Sequence, residues 1–389
     1  MRTRAAWSEG RIASDAHTPS NTSTASVSTA PDMNRLNRIR EALAEQDVPA
    51  LSVLLTSLPN IRWATGFTGS NARLLITPDG ATFLTDGRYD AQAHAEVQNA
   101  TVHVVRGSMN DYMEEENVLA GLDRIAVQGD DLTVSTLDTL TDRFPDVAWT
   151  PVSGLLNAAV AQKTDAEVER IARAQRITER VFEEIVNVLE PGRTEKEIAA
   201  EIVYRHLTHG AERMSFDPIV ASGPNAALPH ARPTGRTLRK GELVLIDMGG
   251  VVDGYASDMT RTVALGDPGE RARDLYALVL DAQTEALNAA RAGMASDALD
   301  AAARDVFEAA GLKEAFAHGL GHGLGLQIHE WPRVSYASDD ILPDSACVTI
   351  EPGVYLPDEG IGIRIEDIVV LRADTAENLT QAPKDLITL

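Results

Sequence analysis

The feature that most constrains the fold is an internal repeat in the second half of the chain. Two helical patterns, at 164–189 and 194–208, precede a strand, a turn at 253–254 and a second strand. The same order of two helices and a hairpin recurs about a hundred residues later, and such repeats can build a pseudo-twofold domain with one shared site. The predicted remaining elements are strands 242–248 and 254–264, helices 268–291 and 296–310, and strands 348–355 and 362–371.

Helix-start signals support the repeat. Thr164 with Glu167 and Thr194 with Glu197 have the spacing of capping boxes, in which two side chains satisfy backbone N–H groups at the helix start. Ser296 is the predicted N-cap of the last helix. These signals predict two helices before each hairpin.

The first half of the chain has a different pattern. A short amphipathic helix at 34–46 is followed by strands alternating with helices, including a predicted hairpin of 73–77 and 82–85. This alternation is typical of an α/β layer domain, which we place at residues 33–157, with the repeat domain at 158–389. None of its residues indicates chemistry, so we expect a packing or lid domain.

Residues 1–32 form a third region. The stretch 18–30 consists mainly of Ser, Thr, Asn and Ala without periodicity, and the region lacks the apolar segment of a secretory signal. We predict a disordered extension.

The charge balance narrows the choice of partners. The chain has 35 basic and 58 acidic residues, a net charge of -23, so we expect no nucleic-acid partner, because phosphate binding needs a basic face. No run of about 20 apolar residues predicts a membrane helix. The single cysteine, Cys347, excludes an intramolecular disulfide and fits the cytoplasm. Abundant acid with only five lysines predicts a protein from a salt-loving host.

Four acids interrupt the apolar strands of the two hairpins. Asp247 and Asp258 lie in the first hairpin, and Glu351 and Glu366 take corresponding places in the second. A buried carboxylate is costly unless it is paired or bound to a metal. Their symmetric placement predicts one shared site, if the hairpins face each other.

A glycine-rich segment, 318–330, adds histidines His318, His322 and His329. It lacks the His-Glu-x-x-His zinc motif. Carboxylates with one imidazole form an oxygen-rich site that suits Mn²⁺ or a similar ion. Four carboxylates and one histidine can hold two ions, which would share a water and lower its pKa.

Several segments resemble one family. They are 245–249 (LIDMG), 257–262 (SDMTRT), 318–330 (HGLGHGLGLQIHE), 350–355 (IEPGVY) and 362–367 (GIRIED). All resemble the Xaa-Pro peptidases, the prolidase and aminopeptidase P group of the pita-bread metallopeptidases. Segments 60–63 (NIRW), 66–72 (GFTGSNA) and 85–89 (TDGRY) are similar to the creatinase-type N-terminal domain of that group. The resemblance implies an α/β N-terminal domain and an α+β pita-bread catalytic domain with a pseudo-twofold helix-helix-hairpin repeat.

The resemblance also implies residue roles. The implied ligands of two divalent metal ions, Mn²⁺ first and Co²⁺, Zn²⁺ or Fe²⁺ as alternatives, are Asp247, Asp258, His322, Glu351 and Glu366. Asp258 and Glu366 would bridge the ions, and Glu351 would also handle the proton of the attacking water. The implied substrate residues are His230, His318 and His329, of which the last two hold substrate and the developing oxyanion. Arg364 would orient a ligand or contact substrate.

Four functions stay open at this point. The first two are an Xaa-Pro dipeptidase and an Xaa-Pro aminopeptidase, which share every motif; the run 330–335 (EWPRVS) resembles microbial prolidases somewhat more. The third is a creatinase-like amidinohydrolase, and the fourth is a non-catalytic pita-bread binding module. Proteins of these two kinds lose the metal ligands that this sequence retains. The resemblance further implies a proline-containing peptide substrate and a homodimer.

Overall fold

The computed structural model describes residues 35–46, 48 and 50–389. The predicted disordered extension over 1–32 lies outside these residues. Within them, no helix combines the length and apolarity needed to cross a membrane.

The first half of the described chain is built on a six-stranded mixed sheet with the strand order β4-β3-β2-β1-β5-β6. Its strands are β1 (Ser52–Leu55), β2 (Ala72–Ile76), β3 (Ala81–Asp86), β4 (Thr101–Val105), β5 (Arg124–Gln128) and β6 (Ala148–Val152). Its helices are α1 (Arg35–Ala44), α2 (Leu58–Thr65), α3 (Asp90–Glu96), α4 (Met109–Glu115), α5 (Val134–Arg143) and α6 (Asn157–Ala161). The predicted hairpin is present as β2 and β3, which pair antiparallel from Ala72 opposite Thr85 to Ile76 opposite Ala81.

The second half contains the repeat. Its helices are α7 (Asp165–Val186), α8 (Glu195–Thr208), α9 (Glu270–Ala289) and α10 (Ser296–Ala309). Strands of the first repeat are β7 (Arg213–Met214), β8 (Ile219–Ser222), β9 (Glu242–Met248), β10 (Gly250–Val252), β11 (Tyr255–Ala256) and β12 (Met259–Leu265). Strands of the second are β13 (Gly321–Gly323), β14 (Glu330–Val334), β15 (Cys347–Ile350), β16 (Gly353–Leu356), β17 (Ile361–Arg364), β18 (Asp367–Leu371) and β19 (Ala376–Asn378).

Each hairpin of the repeat has a base and a tip. In the first, β9 pairs with β12 at the base and β10 with β11 at the tip. In the second, β15 pairs with β18 and β16 with β17. The predicted continuous strands 254–264, 348–355 and 362–371 are therefore wrong, because each is interrupted where base meets tip.

A close backbone approach accompanies the first interruption. Gly249 lies between β9 and β10, where a Cβ atom would be 1.9 Å from the carbonyl oxygen of Ser257. Only glycine lets the two strands come this close as they change direction. The second hairpin changes direction at Pro352, which has no backbone N–H to donate to a ladder.

The helices cover the outer faces of the hairpins. Apolar side chains of α7 and α8 pack with β9 and β12, and those of α9 and α10 pack with β15 and β18. Both predicted capping boxes are confirmed, at Thr164 and Thr194. The Ser296 N-cap prediction is wrong: Ala295 occupies that place, and the Ser296 hydroxyl donates to the carbonyl of Arg333 instead.

A buried ion pair joins the two halves. Glu167, whose side chain also caps α7, accepts hydrogen bonds from Arg35 at 3.1 Å and from the Tyr255 hydroxyl at 2.6 Å. Glu167 is fully buried, so these partners replace the water it loses. Arg35 also donates to the carbonyl of Trp63, which ties α1 to α2.

Candidate active site

A single cavity of about 630 Å³ opens where the two hairpins face each other. It brings together all nine residues that the sequence analysis selected: His230, Asp247, Asp258, His318, His322, His329, Glu351, Arg364 and Glu366. Its apolar wall includes Phe216, Ile219 and Trp331.

The four acids occupy the interruptions of the two hairpins. Asp247 is the second-to-last residue of β9, directly before the first interruption, and Asp258 lies between β11 and β12. Glu351 lies between β15 and β16, and Glu366 between β17 and β18. A hydrogen bond of 3.1 Å from the Glu366 N–H to the Thr260 carbonyl joins the two hairpins. This link brings the interruptions of both hairpins to the same cavity.

His322 points one ring nitrogen at the acids. Its Nδ1 lies 3.0 Å from the Gly323 carbonyl, and its Nε2 lies 3.6 Å from Asp258 and 3.4 Å from Glu351. A donor hydrogen on Nδ1 leaves the Nε2 lone pair facing the carboxylates. Ligand atoms of Asp258, His322 and Glu366 all lie within 4.8 Å of one another.

Hydroxyl groups orient two of the carboxylates. Thr260 donates to Glu366 at 2.7 Å, and Thr349 donates to Glu351 at 3.1 Å. Thr349 also accepts the backbone N–H of His322 at 3.0 Å. The two threonines thus hold both acids of the second hairpin and the histidine in fixed orientations.

Arg364 is a buried cation of the cavity wall. Its guanidinium donates to Asp247 Oδ2 at 2.6 Å, to the Tyr355 hydroxyl at 2.7 Å and to Thr260 at 3.0 Å. Asp247 Oδ1 is buried and has no hydrogen-bond partner among the described residues. An acceptor oxygen in this state is available to a further positive ligand.

Burial and mutual repulsion shape the protonation of the acids. Burial raises the pKa of Asp258 and of Glu366 well above the usual carboxyl range, and the neighbouring acids raise both further. Burial raises the pKa of Glu351 to about 7, although Arg364 acts in the opposite direction. In this space the carboxylates cannot all ionise without added positive charge.

The histidines are held neutral. Burial lowers the pKa of His318 to about 4, with the positive charge of Arg364 acting in the same direction. Burial also lowers the pKa of His322 and of His329. A neutral imidazole is the form that binds a metal or donates a hydrogen bond without carrying charge.

These residues fit divalent cations. Buried acids with raised pKa values, a buried acceptor oxygen without a partner and a neutral imidazole form a hard donor set of oxygens with one nitrogen. A bound cation would supply the missing charge and return the acids to their ionised form.

The sequence analysis assigned no role to Tyr355, Thr260 and Thr349. Alternation along a strand could have found the two threonines, since Thr260 lies two residues after Asp258 and Thr349 two before Glu351. Tyr355 had no such signal: its hydroxyl meets Arg364 and His318 only through the fold.

The first half of the chain lines a neighbouring cleft. This cleft, of about 190 Å³, lies between the halves and shares His329 and Trp331 with the main cavity. Ser57 and Gln128 are among its walls from the first half. The described residues of the first half thus border this neighbouring cleft, and none of them lines the main cavity.

Two family models match the chain. The model described as metallopeptidase family M24 matches residues 169–373, and the creatinase/prolidase N-terminal domain matches residues 35–159. Together with the prolidase-like structures below, they confirm the predicted fold class of a creatinase-type domain followed by a pita-bread domain.

Named relatives agree with these models. The Xaa-Pro dipeptidase of Pyrococcus furiosus is 35% identical over 270 residues, covering 69% of this chain and 77% of that protein. A solved Xaa-Pro dipeptidase from Bacillus anthracis has a TM-score of 0.88 and 35% identity, over 92% of this chain and 99% of that one. A solved X-Pro aminopeptidase from Thermotoga maritima has a TM-score of 0.81 and 34% identity, over 87% and 97%.

Proposed function

The chain is a metallopeptidase of family M24, and from this premise we propose that it hydrolyses the peptide bond preceding proline. The observation that carries the proposal is the meeting of nine selected residues in one cavity. Family membership favours a peptidase over a non-catalytic binding module. The names of the relatives favour proline peptides over a creatinase-like substrate.

Five residues are the proposed metal ligands: Asp247, Asp258, His322, Glu351 and Glu366. Asp258 and Glu366 would be the carboxylates shared by the two ions. The ions, Mn²⁺ first and Co²⁺, Zn²⁺ or Fe²⁺ as alternatives, would supply Lewis acidity to a water and to the scissile carbonyl when bound. The donor set supports this choice.

Glu351 is the proposed proton carrier. It takes the proton from the attacking water and passes it to the proline nitrogen, which is a tertiary amide without a hydrogen of its own. The Thr349 hydroxyl keeps the carboxylate in place during the transfer.

Histidines stabilise the substrate in the proposal. His329 donates a hydrogen bond to the developing oxyanion, and His318 and His230 hold the substrate. His318 is already oriented by Tyr355, 3.0 Å from its Nε2. Arg364 donates hydrogen bonds to Asp247 and to the Tyr355 hydroxyl and thereby orients both side chains.

The substrate length separates two forms of the activity. Xaa-Pro dipeptidase is the first candidate, supported by the dipeptidases among the relatives. Xaa-Pro aminopeptidase is the second, supported by the aminopeptidase neighbour. The test is hydrolysis of Ala-Pro and of a longer peptide that begins Ala-Pro, in multimolar KCl with and without Mn²⁺. Cleavage of the dipeptide alone identifies a dipeptidase; cleavage of the longer peptide identifies an aminopeptidase.

The assembly and location are also part of the proposal. We expect a homodimer, and a monomeric mass by light scattering in high salt would contradict it. A cytoplasmic location is supported by the single cysteine, and the net charge of -23 supports the absence of a nucleic-acid partner.

A further inference from the structure

Two charged residues of α10 form a clamp outside the catalytic cavity. Arg304 donates through Nε to Asp300 at 2.6 Å and through Nη2 at 3.1 Å, one helical turn apart. Asp300 is fully buried, and the Arg304 side chain is 12% exposed. Neither residue lines the cavity, so neither is explained by contact with substrate.

The clamp holds three residues of the segment that leads into β13. Arg304 donates to the carbonyl of Phe316 at 3.0 Å and to that of His318 at 2.8 Å. Asp300 accepts the backbone N–H of Leu320 at 2.9 Å. Asp300 and Arg304 thus hold the backbone at His318 and at the residues two before and two after it. An ion pair that only stabilised α10 would not need these contacts.

Aromatic rings complete the clamp. The Arg304 guanidinium lies 4.3 Å from the ring centre of Phe316 and 4.6 Å from that of Tyr336. The same Phe316 ring meets the His318 ring edge to face, with centres 5.1 Å apart. The guanidinium therefore fixes the position of the Phe316 ring, against which the His318 ring packs.

The clamped segment reaches two catalytic groups. The His318 ring lies between Phe316 and the Tyr355 hydroxyl, which is 3.0 Å from its Nε2. The Leu320 carbonyl accepts the backbone N–H of Glu351 at 2.8 Å. The clamp bonds directly to His318 and to the residues two before and two after it, whereas Glu351 meets the segment through this one backbone bond, so a shift of the segment would act chiefly on His318.

We propose that Asp300 and Arg304 are positioning residues that act on hydrolysis through His318. This role rests on the proposed function, in which His318 holds the substrate. A rigid guanidinium can serve a carboxylate, two carbonyls and two rings at once, and a lysine ammonium cannot. A buried ion pair adds little stability over apolar packing, so its geometry is the property that matters here.

The test variant is Arg304→Lys, which keeps the positive charge and loses the planar, forked set of N–H donors of the guanidinium. We expect kcat/KM for Ala-Pro with Mn²⁺ to fall at least about tenfold, mainly in kcat, because small displacements of catalytic groups are costly. The matched control is Arg205→Lys, which alters a similar i,i+4 pair with Glu201 on α8, away from the cavity. Wild-type activity in Arg304→Lys would overturn the positioning role.

A double-mutant cycle separates positioning from general damage. In a His318→Ala background, Arg304→Lys should change the residual kcat/KM by no more than about twofold, since its route of action is gone. Calorimetric Mn²⁺ binding should be unchanged in Arg304→Lys. Full additivity of the two substitutions would overturn the proposal.

A second variant and the activity of the wild type separate failure of this role from failure to fold and from failure of the proposed function. If Arg304→Lys does not fold by circular dichroism, the isosteric Asp300→Asn takes its place in the same cycle with the same expectations. Failure of the wild-type chain to cleave any Xaa-Pro peptide would overturn the proposed function and this role with it. An active wild type with an unaffected variant would overturn this role alone.

Discussion

At the scale of single residues, the cavity concentrates negative charge that the chain does not itself neutralise. Arg364 lies beside all four acids: it donates to Asp247, and its positive charge acts on Asp258, Glu351 and Glu366. Buried like charges cannot all stay ionised, so the acids either hold protons or bind cations. The proposed function depends on the second outcome.

Glu351 is the residue whose loss should be most specific. Glu351→Gln keeps the shape and removes both the proton carrier and the charge of one proposed metal ligand, so we expect Ala-Pro turnover to fall at least about a hundredfold. The unfolding midpoint should stay close to that of the wild type. Glu359→Gln, at the tip of the same hairpin in an exposed pair with Arg271, is the control and should keep full activity. Substantial turnover in Glu351→Gln would contradict the assignment.

His206 gives a pH-dependent contribution to stability away from the site. Burial lowers the pKa of His206 to about 4, and the nearby His209 acts in the same direction. Between pH 6.5 and pH 4 the unfolded chain binds a proton that the folded chain does not. The contribution of His206 to the free energy of unfolding should therefore fall by roughly 3 kcal/mol over this range as pH decreases.

Denaturant unfolding at several pH values measures this effect. His206→Gln should flatten the pH dependence of unfolding between pH 6.5 and pH 4, whatever its stability at neutral pH. His94→Gln, an exposed histidine on α3, is the control. Parallel curves for wild type and His206→Gln would contradict the prediction.

At the scale of elements, the repeat was the predictable part. Capping boxes located the starts of α7 and α8, and helical and strand patterns located α9, α10 and both hairpins, because these signals are local in the sequence. The interruptions within the hairpins were not predicted, because a change of strand direction depends on the facing hairpin. Tyr355 shows the same limit: its partners, Arg364 and His318, come from other elements.

The interruption at Gly249 can be tested directly. Gly249→Ala would place its Cβ 1.9 Å from the Ser257 carbonyl oxygen, and backbone cannot move aside cheaply. We expect the free energy of unfolding to fall by about 1–3 kcal/mol or more. Gly235→Ala, where a Cβ meets nothing within 4 Å, is the control in the same denaturant measurement. Equal unfolding midpoints for the two variants would contradict this account of the strand break.

At the scale of the whole molecule, the charge predicts a dependence on salt. A net charge of -23 with five lysines implies self-repulsion that only a high ionic strength screens. We expect the melting temperature to rise steeply between 0.1 and 3 M KCl, with unfolding at the low end. Equal melting temperatures at both salt concentrations would contradict the prediction of a salt-loving host.

The measurement that bears most directly on the proposed function is hydrolysis of Ala-Pro beside Ala-Ala by the full chain in multimolar KCl. The enzyme is first stripped with a chelator and then supplied with Mn²⁺. We predict cleavage of Ala-Pro only after Mn²⁺ is returned, and no cleavage of Ala-Ala. Three results would contradict metal-dependent hydrolysis before proline. They are cleavage of Ala-Pro that persists after chelation, equal cleavage of both dipeptides, and no cleavage of either dipeptide with metal bound.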